Sequence, residues 1–248
     1  MRRLAARDEE ILGWKRLEEG RLEEAEGHFR KSLELDPDRI DALNGLGMVY
    51  LRWDDLDEAA ELFQMAIAMA EPLLPRRKRR TGWQDPAVRP YIRALLALAV
   101  TRVRRGAYDE AVGPLETAIA WDPGGAEGEA FLWLGQCHHR LGDLARARDA
   151  YAWARAKRPE AWFLYGLVAD LMGDAAEAQR SFRAGADLYP ELAPLLAYYP
   201  RVRGFPGGPE HGRYAQAVAF VEETIDLWTA SAQRRLLEAV YPDAVAGL

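Results

Sequence analysis

Apolar positions recur three and four residues apart along most of the chain, as they do on one face of an α-helix: Leu43, Leu46 and Tyr50, or Phe131 and Leu134. Such segments come in pairs. Gly20, Gly106, Gly142 and Gly173 stand between the members of a pair, where the chain must turn. In "LDPD", "WDPG", "KRPE" and "LYPE" a proline closes the second segment or opens the next pair. The pattern predicts a series of antiparallel helical hairpins, none of which can bury its apolar face alone.

The hairpins share one spacing. Gly13, Ala25, Phe29 and Ser32 are followed 34 residues later by Gly47, Ala59, Phe63 and Ala66. A third set is Ala99, Ala111, Leu115 and Ala118, then Pro123. A fourth is Gly135, Ala147, Tyr151 and Ala154, then Pro159, and a fifth is Gly166, Ala178, Phe182 and Gly185, then Pro190. The small residues let two helices approach closely, and the large one fills the space beside the contact. Self-similarity at this period is the mark of a solenoid. Between the fourth and fifth sets the period shortens to 31, so that junction is expected to bend differently.

This arrangement resembles the tetratricopeptide repeat family, in which Trp, Leu-Gly and Tyr mark the first helix of a hairpin and Ala, Phe, Ala and Pro the second. The resemblance runs from about Ala6 to Leu192 with one insertion. It departs from the pattern at Glu9, which holds the usual Trp position, and at Arg16, Arg102, His138 and Ala169, which hold the Tyr position. It implies an all-α, right-handed solenoid with repeats at about 6–39, 40–73, 92–125, 128–158 and 159–192. Residues 193–248 are then a Pro/Gly-rich linker and a helical cap over the last apolar face. Because the first helix of each hairpin lines the concave side in this family, the register implies a partner-binding groove. Its positions are Trp14, Asn44, Met48, Arg52, Leu96 and Val100, continuing through Arg104, Gln136, His139, Arg140, Phe163 and Leu167. Arg52, Arg104 and Arg140 hold the same position in three successive repeats. The Lys/Asn/Arg clamp with which chaperone-binding relatives hold a C-terminal carboxylate is absent, since matching positions include Gly45 and Leu96.

Two segments stand outside the repeat. The insertion at about 72–91, "EPLLPRRKRRTGWQDPAVRP", holds Pro72, Pro75, Pro86 and Pro90, which forbid one continuous helix and predict an exposed loop. Arg76, Arg77, Lys78, Arg79 and Arg80, with Arg89 and less Asp85, give it a local charge of about +5. Trp83 beside them is read as tucked onto the solenoid. After the fifth repeat, Val218, Val221, Ile225 and Trp228 form an apolar stripe over Tyr214–Thr229, and a shorter segment, Gln233–Val240, folds back or binds something.

Composition narrows the function classes. A net charge of -6 argues against general nucleic-acid binding, which needs a basic surface. A single cysteine, Cys137, excludes an internal disulfide. No apolar run is long enough to span a membrane, and the start "MRRLAARDEE" turns acidic without an apolar signal core, which reads as cytoplasmic. Cys137, His138 and His139 are consecutive on a helix and so point apart, which does not make a metal site. "GGAEG" and "GFPGG" lack the residues that cradle phosphate. No catalytic constellation, cofactor or metal is expected. The reading is a non-catalytic scaffold holding a protein or peptide segment, acidic with apolar anchors. The alternatives are a self-assembling oligomer, or an adaptor for nucleic acid or an anionic surface working through the basic insertion.

Overall fold

The computed structural model describes residues 2–75, 82–198 and 212–242, and among them all regular structure is helical. The chain divides into two compact units, Met1–Ala126 and Glu127–Leu248. The first holds three hairpins: α1 (Arg2–Glu18) with α2 (Leu22–Leu35), α3 (Ile40–Arg52) with α4 (Leu56–Ala70), and α5 (Arg89–Arg104) with α6 (Tyr108–Trp121). The second holds α7 (Gly125–Arg140), apart from its first two residues, with α8 (Leu144–Ala154), and α9 (Ala161–Leu171) with α10 (Ala175–Leu188). These are followed by α11 (Leu192–Tyr198), α12 (Arg213–Thr224) and α13 (Ala230–Val240).

Each hairpin closes over a matched pair of positions. A β-carbon placed on Gly13 would lie 2.7 Å from the Phe29 ring, on Gly47 2.7 Å from Phe63, on Gly135 2.4 Å from Tyr151, and on Gly166 2.7 Å from Phe182. Only glycine lets the helix backbones come so near an aromatic face. The third hairpin has Ala99 instead, and there the facing residue is the smaller Leu115; both are fully buried. Extra volume on one helix is met by less on the other, as close packing requires.

The turns follow the same economy. Gly20, Gly106, Gly142 and Gly173 have φ between +74° and +86°, a region that L side chains enter at a cost. In the second hairpin Asp54 takes this place at φ +65°. The next residue, Asp55, caps α4 by accepting from the Glu58 amide, and Asp143 and Asp174 cap α8 and α10 through the amides of Arg146 and Glu177.

The division into units differs from the expected boundary at residue 192. The residues from 193 are not a linker at their start: α11 opens the helical cap over the fifth hairpin, and its Leu192 and Leu196 are fully buried in one core with Phe163, Phe182, Val221, Trp228 and Leu236. The stripe at 214–229 is not one helix either. α12 ends at Thr224, a 3-10 turn covers Ile225–Leu227, and Trp228 is extended with its ring against Phe182 at 5.9 Å. The predicted segment at 233–240 lies within α13, which packs on α10 and α11.

Candidate partner-binding surfaces

In the first unit the face formed by α1, α3 and α5 is anchored by charge and aromatic contacts. Trp14 meets Phe29 edge to face at 5.4 Å. The Arg93 guanidinium lies 4.7 Å from the Trp14 ring centroid and 5.9 Å from that of Trp83, and pairs with Asp41. Trp83 is thus half-buried against the repeats, while Arg76–Arg80 lie outside the described residues. Glu10 is buried against Arg39 at 2.7 Å; burial raises its carboxyl above the usual range and the Arg39 hydrogen bond opposes this.

The groove positions of this unit separate into two groups. Asn44 has no exposed surface, and its amide donates to the Pro90 carbonyl at 2.9 Å, tying α3 to the start of α5. Leu96 is likewise core. Both are corrected from groove-facing to structural, since α5 packs directly on α3 at this level. Trp14, Met48 and Val100 remain half-buried, and Arg52 and Arg104 are exposed. Arg104 donates to the Leu51 carbonyl at 2.7 Å and pairs with Asp54 at 2.9 Å. Arg52 makes no ion pair among the described residues.

In the second unit the corresponding positions are covered. Phe163 and Leu167 have no exposed surface, because α9 ("AWFLYGLVADL") is packed on nearly every side. That was legible: a helix apolar all round is a buried helix. Gln136, His139 and Arg140 of α7 lie beneath α12 and its 3-10 turn. Gln136 donates to Glu223 at 2.9 Å. Arg140 forks onto Asp226 at 3.1 and 2.8 Å and donates to the Glu223 carbonyl at 2.7 Å. Its side chain is only 8% exposed, against 43% for Arg104. The His139 ring stands edge-on to Tyr151 at 6.4 Å, and burial holds it down to about 4. Burial raises the carboxyl of Glu223, with the Gln136 hydrogen bond opposing it. The Cys137 thiol, buried on the same helix, is pushed up to about 12, which leaves it protonated and a poor nucleophile at neutral pH. Alongside α12 opens a pocket of about 560 Å³, lined by Trp133, Lys157, Arg158, Tyr189, Phe220 and Glu223 among others. Among the described residues no three His, Cys, Asp or Glu side chains gather as metal ligands, and no helix is long and apolar enough to cross a membrane.

The comparisons with known proteins agree with the hairpin geometry. Residues 13–71, and then 96–155 and 140–193, match family models described as tetratricopeptide repeat. The chain belongs to the tetratricopeptide repeat family. Its solenoid fold is shared with solved structures of low sequence identity. One from a study of Pseudomonas aeruginosa PilF has a TM-score of 0.62 and 19% identity, covering 98% of this chain and 95% of that one. A structure of MamA has a TM-score of 0.58 and 19% identity, over 77% of this chain and 94% of that one. YrrB, described as a tetratricopeptide repeat protein with an unusual peptide-binding site, gives 0.55 and 19%, over 73% and 85%. Cellulose synthase 1 operon protein C of Komagataeibacter xylinus is 30% identical over 171 residues, which is 68% of this chain and 12% of that protein. The present chain therefore matches a small part of a much longer relative.

Proposed function

We propose that this tetratricopeptide repeat protein is a non-catalytic interaction scaffold, and that the face of α1, α3 and α5 holds a partner segment with apolar anchors and an acidic flank. The observation that carries this reading is the open combination on that face. Met48 and Val100 offer a half-buried apolar floor, and Arg52 stands exposed beside it without an ion pair among the described residues. Arg104, whose ion pair with Asp54 is largely solvent-exposed, can exchange that carboxylate for one from a partner at little cost. Carboxylates meeting two guanidiniums over an apolar floor give enough for affinity on the order of micromolar. The peptide-binding site named for YrrB, a protein of the same fold, supports the same class of activity.

The test is selection from a displayed library of random peptides on the full chain, followed by titration of the enriched sequences. Acidic peptides with apolar anchors should be enriched, and changing both Arg52→Glu and Arg104→Glu should weaken them about tenfold or more with the helical content intact. Enriched peptides that bind the double variant as well as the unaltered chain would move the binding surface elsewhere.

A further inference from the structure

The contact between α7 and the α12 segment is made by side chains that also describe a ligand. Arg140 presents both edges of its fork to one carboxylate, Asp226, and Gln136 gives its amide to a second, Glu223, three residues earlier. Three residues before that, Phe220 is buried and forms part of the pocket wall. The recognised pattern is thus an apolar residue, two residues, an acid, two residues and a second acid.

The same contact is incomplete. Nδ1 of His139 and the hydroxyl of Tyr151, both on side chains more than nine-tenths buried, have no hydrogen-bond partner within the described residues. A buried polar group left without a partner penalises the state that buries it. The docked α12 is therefore not the best occupant that this face could have. The pocket of about 560 Å³ along its Phe220 and Glu223 edge gives a second helix somewhere to engage.

We propose that this face of α7 is a docking surface for an external amphipathic helix carrying two carboxylates three residues apart, and that α12 with its 3-10 turn is the built-in competitor for it. The inference is independent of the reading of the first unit, since it concerns different residues. A tethered helix acts at an effective concentration on the order of millimolar, so a free helix of equal fit is excluded until the internal one is weakened. A partner displaces it by reaching His139 or Tyr151 with a polar group that α12 does not supply.

The experiment uses the full chain and, as probe, a fluorescein-labelled synthetic peptide of residues 212–242. The unaltered chain should bind it weakly. The chain carrying Glu223→Arg and Asp226→Arg should bind it at least about tenfold more tightly, because the internal copy no longer competes. Adding Arg140→Glu to that chain should abolish the gain. If the double change unfolds the second unit, Asp226→Asn alone is expected to give a smaller gain in the same direction. Equal binding by the unaltered and folded variant chains, or a gain that survives Arg140→Glu, would overturn the proposal. So would a concentration-dependent doubling of mass without peptide, which would assign the face to the α12 of a second copy.

Discussion

The two units are built from the same hairpin yet treat its first-helix face in opposite ways. In the first, Met48, Val100 and Arg52 keep surface, and Arg104 is engaged only by an exposed Asp54. In the second, the equivalent level of α7 is roofed by α12, and the matching Arg140 is sunk into a fork with Asp226. The repeat position fixes where the arginine starts, but what lies opposite decides its role. One arginine remains free to exchange its carboxylate; the other is part of a packed polar layer.

The largest effect expected on this comparison would show whether the shared core is equally important in both units. Phe63→Ala in the first and Tyr151→Ala in the second each remove a fully buried ring, and each should cost about 3–5 kcal/mol in chemical denaturation. Amide exchange should register each loss first in its own unit. If Tyr151→Ala proves nearly neutral, the roof by α12 does not rest on that core.

Acid should next separate the units. His139 has an ordinary value near 6.5 and is held near 4 in the fold, with Arg140 and Asp226 beside it. Between those values the unfolded chain carries the extra proton, so the folded second unit loses stability as pH falls from 6.5 to 4, in total on the order of 3 kcal/mol. That contribution is fully present above pH 6.5. Glu223 runs the other way: its carboxyl, raised by burial, disfavours the fold as pH climbs above 4.5, which opposes the His139 trend. Denaturation followed by exchange of α12 amides at pH 7 and pH 5 should show the loss, and His139→Phe should reduce it. The same loss in the His139→Phe chain would point to another titrating group.

The smallest contrast is the most direct. Arg140→Ala should cost about 1.5–3 kcal/mol, as hydrogen bonds to charged groups do when poorly solvated, whereas Arg104→Ala should cost about 0–1 kcal/mol. Matched denaturation curves decide it, and equal costs would mean that the roof over Arg140 adds nothing.

Much of the hairpin architecture was legible because it is written locally. A glycine meets an aromatic sixteen residues later within one hairpin, and the turn glycines mark where the chain reverses. Even Asp54, which breaks the turn pattern, is a residue type that tolerates positive φ. What was not legible came from distance. Gln136 and Glu223 are 87 positions apart, and nothing in the register of α7 says that a later helix will lie on it. α11 escaped because the Pro/Gly-rich composition after the fifth repeat suggested a linker from residue 193, although a proline in the first turn of a helix, as Pro194 is in α11, is tolerated. Asn44 and Leu96 were assigned to the groove by position alone, which cannot tell a face from the seam between neighbouring helices.

The glycine–aromatic matching has a consequence for how such an array can be inherited. Ala99 with Leu115, and Gly135 with Tyr151, are each complete within one hairpin, so a duplicated or exchanged hairpin carries its own fit with it. Exchange of a single helix would set Ala99 against a tyrosine, or leave Leu115 facing a void. One contact crosses the boundary: a β-carbon on Gly45 would lie 2.2 Å from the ring of Phe29 in the preceding hairpin. Hairpins that receive a large ring from their neighbour can therefore follow only certain predecessors. The order of the first two hairpins is thereby constrained by fit.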